Sequence, residues 1–324
     1  MERRDMTARP THTISRRDWL LLLALAACFS CSFFFNRVAL ADLSPLTVVL
    51  GRVGVGAVAL NLALLMRGER LPAGWANWRA FLVMGAFSNA LPFVLIVSGQ
   101  TRIASSLASI LNATTPLWTI LVAHALTRDE TLTANRLLGV LIGFAGAVIV
   151  VGPAALLGVG GERGVLVGQL AVLGAPVCYA FAVVYGRRFR SLPPLMTAAG
   201  QLSAATLWLV PITLVVDQPW AHGLPGPTTL GAVAGLGLLC SAVAYVLFFR
   251  ILASAGPTNL ALVTFLVPVG AVLLGTTLLA ERLELGQVLG MTTIFLGLAT
   301  VDGRLPAAIA RLAFRRLLPG RALA

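Results

Sequence analysis

Long apolar stretches alternate with short polar ones along the whole chain. Ten of them are free or nearly free of charge, and each is close to the roughly 20 residues that a helix needs to cross a hydrocarbon core. We expect membrane spans at 18–39, 43–66, 79–99, 103–126, 134–152, 165–186, 195–216, 227–249, 257–280 and 284–302. All should be helices, because an open strand edge would leave backbone groups unpaired in lipid.

Composition also indicates a membrane protein. The chain has 324 residues, of which 58% are hydrophobic and only 11% are charged, with a mean hydropathy of +0.91. Soluble domains carry about a quarter charged residues. The connecting segments are short, so no soluble domain fits between the spans. The four cysteines lie inside apolar runs without paired CxxC motifs, which predicts neither a disulfide nor a metal site.

The basic residues carry information on topology. All 24 are arginine, and the formal net charge is +12. Nearly all fall in the gaps between apolar runs and form no binding face, so we expect no nucleic-acid partner. If the N-terminus is cytoplasmic, 19 of the 24 lie in cytoplasmic segments and three, Arg102, Arg163 and Arg282, lie outside, whereas Arg37 and Arg52 lie within spans. The positive-inside rule therefore predicts cytoplasmic tails at 1–17 and 303–324, on either side of a multi-pass membrane segment.

Two stretches of the chain share one pattern, PLWTILVAHALTRDETLTANRLLGVLIGFAGAVIV at 116–150 and PVGAVLLGTTLLAERLELGQVLGMTTIFLGLATV at 268–301. Each begins with a proline and reaches a glutamate 14 or 13 residues later, then a glycine after nine residues and another after seven. These positions are Pro116, Glu130, Gly139 and Gly146 in the first stretch and Pro268, Glu281, Gly290 and Gly297 in the second.

The repeat extends to the preceding helices. The aligned pairs there are Asn89 with Ser241, Phe93 with Tyr245 and Arg52 with Gln201. Each half, 18–152 and 165–302, therefore contains five helices. Because five is odd, the second half enters the membrane in the opposite orientation, and the acidic turns at Glu130 and Glu281 face opposite sides. Inverted repeats are typical of secondary transporters, in which two alike halves exchange conformations around a site near the midplane.

The chain resembles the EamA family of the drug/metabolite transporter superfamily over residues 18–302. The resemblance rests on ten helices in two copies, each of which ends with this spacing of proline, glutamate and two glycines. The turn AERLELGQVLG in the second copy is close to the family pattern, whereas TRDETL in the first copy departs from it. Within the family, the chain is most similar to YddG-type exporters. The resemblance implies an all-α membrane protein of ten helices in two inverted five-helix repeats. It also implies a location in the bacterial inner membrane and efflux of amino acids, aromatic ones included.

Polar and aromatic residues inside the spans are the candidates for a transport site, because polar groups are costly in lipid. The substrate-binding candidates are Asn36, Arg52, Asn89, Asn112, Trp118, Tyr179, Ser241 and Tyr245. Asn89 and Ser241 are expected at similar depth on equivalent helices, where they either line the pathway or form an interhelical hydrogen bond. The aromatic residues either form walls for an apolar or aromatic solute or fill gaps.

Two further features leave alternatives open. Arg52 lies about 13 Å into the second span at 1.5 Å per residue, where it either receives a solute carboxylate or clamps the carbonyl end of a neighbouring helix. Pro116 and Pro268 each free a backbone carbonyl and either act as hinges or serve packing.

No acidic residue lies at the centre of a span. We therefore predict a facilitator of small metabolites that works by alternating access without a buried proton-coupling carboxylate. A proton-coupled drug exporter, an intramembrane enzyme acting on a lipid-linked substrate, and a channel or receptor are the alternatives. The spans contain no HExxH, GxSxG or P-loop motif, so no catalytic residue is assigned. The expected partners are a small-molecule substrate and the lipid bilayer, and no cofactor, metal or protein partner is implied.

Overall fold

A computed structural model describes residues 15–127, 130–152, 163–221 and 223–301. These segments are helical and contain no strand. Of the two predicted tails, residues 1–14 and 303–324 lie outside the described residues.

Ten long helices follow one another through the described part of the chain. They are α1 (Arg16–Ala39), α2 (Pro45–Met66), α3 (Trp75–Gln100), α4 (Ser105–Leu126), α5 (Ala134–Val151), α6 (Arg163–Gly186), α7 (Pro194–Val216), α8 (Pro227–Gly256), α9 (Val263–Leu278) and α10 (Leu285–Val301). Helices α1 to α8 are long and apolar enough to cross a membrane, whereas α9 and α10 are apolar but have 16 and 17 residues. Each of the ten helices overlaps one predicted span, and the predicted fold class is confirmed. The bounds differ most at α8, which continues to Gly256 and not to 249, and at α9, which begins at Val263 and not at 257.

The two acidic turns lie at opposite ends of α4. We call the side of the molecule at which α1 begins the N-terminal face and the other side the far face. At the far face, a carboxylate oxygen of Glu281 lies 2.7 Å from the amide nitrogen of Ser105, the first residue of α4. At the N-terminal face, the carbonyl oxygen of Glu130 lies 3.0 Å from Nδ1 of His124 in the last turn of α4. The turns therefore face opposite sides, as an inverted repeat requires.

The repeated glycines form the crossing of α5 with α10. A Cβ atom added to Gly139 would lie 2.6 Å from the carbonyl oxygen of Gly297, and one added to Gly297 would lie 2.6 Å from that of Gly139. Gly146 and Gly290 are related in the same way, at 2.8 and 2.7 Å. Gly139 thus contacts Gly297, the repeat counterpart of Gly146, and Gly146 contacts Gly290, the repeat counterpart of Gly139. Such exchanged contacts between antiparallel helices indicate a two-fold axis. Small residues let two membrane helices approach closely.

Helices α3 and α8 each contain one π-helical segment, at Ala86–Ala90 and Leu238–Val243. The segments occupy equivalent places in the two repeats. In α3, the wide turn is followed by Pro92, which has no N–H to donate to the carbonyl group four residues earlier. Such segments are rare and are often found at functional sites.

The two symmetry-related prolines differ in their surroundings. In α4, the helix ends at Asn112 and restarts at Thr115, so Pro116 follows directly after a break. Pro268 lies inside the continuous helix α9, and the chain turns before it at Gly256, whose φ of +79° suits glycine. The assignment of both prolines as hinges stays a prediction.

Candidate transport site

A buried arginine joins four helices near the middle of the bundle. Arg52 on α2 donates from Nη1 to the hydroxyl oxygen of Ser32 on α1 at 2.7 Å, and from Nε to that of Ser241 on α8 at 3.2 Å. Its Nη2 group lies 3.4 Å from the carbonyl oxygen of Cys240. The guanidinium carbon lies 3.8 Å from the ring centroid of Phe93 on α3, within the range of a cation–π contact.

A second contact between the two repeats lies one helical turn away. The Tyr245 hydroxyl donates to Oδ1 of Asn89 at 2.9 Å. Asn89 is fully buried, and its Nδ2 group has no hydrogen-bond partner among the described residues. Asn89 lies four residues before Phe93 on α3, and Tyr245 lies four residues after Ser241 on α8, so the two levels are separated by about 6 Å at 1.5 Å per residue.

We call the six residues of these two levels the central cluster: Ser32, Arg52, Asn89, Phe93, Ser241 and Tyr245. The π-helical segments position it, because Asn89 lies in the segment of α3 and Ser241 in that of α8. The Ser241 hydroxyl donates to the carbonyl of Leu236 at 2.9 Å, which leaves its oxygen free to accept from Arg52. The wide turns therefore bring one polar side chain from each repeat towards the interface of the halves.

Tyr179 on α6 adjoins the central cluster. It lies close enough to Arg52 and Tyr245 for electrostatic interaction, and it packs against both large hydrophobic clusters of the bundle. Its hydroxyl group makes no hydrogen bond with any described residue.

The other three predicted residues lie elsewhere. Asn36 donates from Nδ2 to Oε1 of Gln100 at 2.9 Å, where α1 and α3 end at the far face. Asn112 and Trp118 flank the break in α4. Asn112 Oδ1 and Trp118 Nε1 are buried without a hydrogen-bond partner in the described part of the chain, and the Trp118 ring meets that of Phe144 edge-on at 4.9 Å. Within that part, no hydrogen bond links these residues to the central cluster.

Sequence reasoning missed two side chains of the central cluster and one backbone group. Phe93 appears in the repeat alignment opposite Tyr245, which was a signal for its position. Ser32 gave no signal, because its contact depends on how α1 and α2 are rotated relative to each other. The Cys240 carbonyl is available because of the π-helical turn, which the sequence pattern does not reveal.

Both repeats match known transporters. The sequence pattern of the EamA-like transporter family matches residues 18–152 and again residues 166–301. The chain belongs to this family.

Curated relatives of this EamA-like protein cover nearly the whole chain. The uncharacterized inner membrane transporter YedA of Escherichia coli K12 is 26% identical over 286 residues, which cover 86% of this chain and 89% of the relative. An uncharacterized transporter of Archaeoglobus fulgidus is 22% identical over 286 residues, covering 88% and 98%. Protein PecM of Dickeya dadantii is 27% identical over 251 residues, covering 76% and 81%. The chain is thus a multi-pass membrane protein related to transporters.

A solved crystal structure shares the fold. Its TM-score is 0.63 at 19% sequence identity, and the match covers 89% of this chain and 98% of the other. At this identity the similarity concerns the fold alone.

The far face of this EamA-like protein is joined across the repeats by acidic residues. Glu281 of the second repeat accepts hydrogen bonds from the amide N–H and hydroxyl groups of Ser105, at 2.7 and 2.8 Å, and from those of Ser106, at 2.9 and 2.5 Å. Its carboxylate therefore caps α4 of the first repeat, where negative charge is favoured by the free N–H groups of a helix start.

Beside Glu281, two aspartates each cap the start of a helix in the other repeat. Asp42 of the first repeat accepts from the Gly226 amide at 3.1 Å and from the Thr229 hydroxyl at 2.6 Å, at the start of α8. Asp217 of the second repeat accepts from the amide and hydroxyl of Thr47, at 2.9 and 3.0 Å, and from Ser44, at the start of α2. Three carboxylates thus hold the repeats together at this face.

Hydrogen bonding keeps two of these carboxyl groups acidic. Burial alone would raise the pKa of Glu281, but the hydrogen bonds from Ser106 and Ser105 outweigh burial, and its pKa lies below the ordinary 4.5. The Thr229 hydroxyl and the Gly226 amide likewise lower the pKa of Asp42. Both carboxylates are therefore charged at neutral pH.

The N-terminal face is joined by fewer described contacts. Ser254 donates to Asp18 at 2.7 Å, which ties the start of α1 to α8. Glu130 forms ion pairs with Arg136 at 3.1 Å and with Arg187 at 3.4 Å. The pair with Arg187 connects the two repeats, but all three side chains are about one third exposed, so each pair contributes little.

Proposed function

We propose that this protein is a secondary transporter of the bacterial inner membrane that exports small metabolites, amino acids with aromatic side chains among them, by alternating access. The observation that carries the proposal is the antiparallel crossing of α5 and α10 on equivalent glycines. It relates the two five-helix repeats by a two-fold axis, and such a pair of halves can exchange inward-open and outward-open states.

The central cluster supports a transport site between the halves. Arg52, Asn89 and Phe93 come from the first repeat, and Ser241 and Tyr245 come from the second. Any rocking of one repeat against the other changes these contacts. Phe93, Tyr179 and Tyr245 offer aromatic surface for an apolar side chain beside the polar groups.

We further propose that the protein is a facilitator. The carboxylates of the described residues lie in the turns or in the first turn of α1, and none lies in the central cluster. A carrier driven by protons would be expected to place a titratable carboxylate within the membrane. The distribution of arginines supports cytoplasmic termini, so the N-terminal face is the cytoplasmic one and the far face the outer one.

Counterflow with the purified protein in liposomes tests the proposal. Liposomes loaded with unlabelled phenylalanine should take up external labelled phenylalanine transiently, and a proton ionophore should leave this exchange unchanged. Protein-free liposomes are the control. Accumulation driven by a proton gradient without internal substrate would favour the proton-coupled exporter, and chemical conversion of added lipid would favour the enzyme. No exchange of any amino acid would refute the proposed function.

A further inference from the structure

The charge of Arg52 is not balanced by any carboxylate in the described part of the chain. The side chain is only 5% exposed and lies in the middle of the bundle. Its hydrogen-bond acceptors are two hydroxyl groups and one carbonyl group, all neutral, and its ring contact is with a phenylalanine. A buried cation is ordinarily paired or serves a function in the membrane. The site therefore has an uncompensated positive charge.

The groups around this charge that lack partners include several hydrogen-bond donors. A guanidinium group has five N–H donors, and the three contacts of Arg52 leave two of them free. Nδ2 of the fully buried Asn89 has no partner, and the Tyr179 hydroxyl makes no hydrogen bond, among the described residues. Such a set of donors suits a ligand group that carries negative charge and several acceptor lone pairs, as a carboxylate does.

We propose that Arg52, with Asn89 and Tyr179, binds the carboxylate of the transported solute, and that the site recognises this carboxylate without recognising an amino group. This inference rests on the proposed transport function and narrows its substrate class. The solutes are monocarboxylates with an apolar or aromatic side chain, among them 2-hydroxy and 2-oxo acids as well as amino acids. A positively charged site without a carboxylate disfavours an ammonium group, so amines without a carboxylate are excluded.

Beside the three carboxylates described above, the far face has a polar cleft whose lining is net positive. It is lined by Arg37, Arg102 and Glu281, together with Thr101. Both oxygens of Glu281 are held by Ser105 and Ser106, whereas the Arg37 and Arg102 side chains are exposed. Two arginines beside one carboxylate give this cleft an excess of positive charge, which favours anions at this face.

A competition series in the counterflow assay tests the proposal. Labelled phenylalanine is exchanged in the presence of unlabelled phenylalanine, phenyllactate, phenylalaninamide or phenethylamine, which differ only at the carboxyl and amino groups. We expect phenyllactate to compete at least as well as phenylalanine, and the amide and the amine to compete at least about tenfold more weakly. Equal competition by phenethylamine would overturn the inference, as would failure of phenyllactate to compete. Absence of any phenylalanine exchange would instead refute the proposed function.

Variants connect this preference to the named residues. In Arg52→Gln, which copies the residue at the equivalent position Gln201, the preference for acid over amide should disappear, and Arg52→Lys should restore part of it. Tyr179→Phe removes one hydroxyl and should weaken competition by phenyllactate about fivefold, as expected for one lost hydrogen bond of about 1 kcal/mol. Tyr185→Phe on the same helix is the control and should behave as wild type. If Arg52→Gln does not fold, the test rests on Tyr179→Phe. Competition by phenyllactate at the wild-type strength in that variant would then overturn the assignment.

Discussion

Glu281 accepts a hydrogen bond from the amide nitrogen of Ser105 at 2.7 Å, and this contact fixes the α9–α10 turn of one repeat to the first turn of α4 of the other. The carboxylate is half-buried and caps the helix with both oxygens. Under the alternating access proposed above, opening of the far face would break this contact. Glu281 is therefore the most direct place to test that mechanism.

Replacing Glu281 with glutamine should favour opening of the far face. The amide has one acceptor oxygen instead of two and no charge, so we expect a loss of about 2 kcal/mol from the closed state. In a cysteine-free background, the labelling rate of Ala104→Cys by an impermeant maleimide at pH 7 should rise at least tenfold. The control is Glu284→Gln, which changes an exposed carboxylate of the same turn. Equal labelling in the two variants would contradict the role of Glu281.

The far face should open in acid, but only below the ordinary glutamate pKa. Because the folded-state pKa of Glu281 is lowered below 4.5, its contact is fully present above that value and is lost as pH falls through the lowered pKa. Spin labels at Thr101→Cys and Arg282→Cys should keep one distance distribution from pH 7 to pH 5 and shift to longer distances below about 4.5. Asp42 titrates in the same direction, so Glu281→Gln should reduce this dependence without removing it. A shift centred near pH 6 would show that another group controls the face.

The glycine crossing should not tolerate even a methyl group. A Cβ atom at Gly146 would lie 2.6 Å from the backbone nitrogen of Ile294 and 2.8 Å from the carbonyl oxygen of Gly290, and neither atom can rotate away. We expect Gly146→Ala to destabilise the protein by about 1–3 kcal/mol, measured as a lower melting temperature in detergent. At Gly54 on α2, a Cβ atom would meet nothing within 4 Å. Gly54→Ala should therefore melt with the wild type, and identical melting of both variants would disprove the close crossing.

The central cluster should affect transport more than stability. Asn89→Leu and Ser241→Leu each remove a polar contact between helices, which contributes about 0.6–2 kcal/mol in membrane proteins, but we expect each variant to lower phenylalanine counterflow at least tenfold. Asn61→Leu is a matched control, because Asn61 donates to Ser203 at 2.9 Å outside the central cluster. It should lose similar stability and keep its exchange rate. Wild-type exchange in both cluster variants would remove these residues from the site.

Labelling in intact cells distinguishes the two faces. Thr131→Cys and Arg282→Cys place an exposed thiol in each acidic turn, in a background without the four native cysteines. We expect an impermeant reagent to modify Arg282→Cys in intact cells and Thr131→Cys only after permeabilisation. The reverse result would invert the proposed orientation but keep the inverted repeat. Modification of both from outside would refute the inverted repeat itself.

The positions of the helices could be predicted because apolar run length and the bilayer thickness set them together. The inverted arrangement followed from the odd number of helices in each repeat. The role of the repeated glycine spacing did not follow, because glycines seven residues apart suit any close helix contact, and only the structure pairs Gly146 with Gly290. Asn36 illustrates the same difficulty, since a polar residue in a span gives no indication that it will bind Gln100 at one end of the bundle.

For Arg52, the sequence left two alternatives, and the structure shows a contact of the second kind. The side chain lies against the Cys240 carbonyl of a neighbouring helix, while binding of a solute carboxylate by its remaining N–H groups stays a proposal. The outcome depended on the π-helical turn that exposes this carbonyl. A turn of that kind is stabilised by contacts between helices, so local propensity does not indicate it.

The crossing of α5 and α10 also bears on how such a chain could arise. The two glycines of α5 contact the two equivalent glycines of α10 in reverse order. A single five-helix unit carrying this surface could therefore pair with an identical unit inserted in the opposite orientation. Gene duplication and fusion would then add only a covalent connection to a dimer whose geometry was already complete. After fusion, the two copies would be free to diverge, as Arg52 and Gln201 have done at equivalent places.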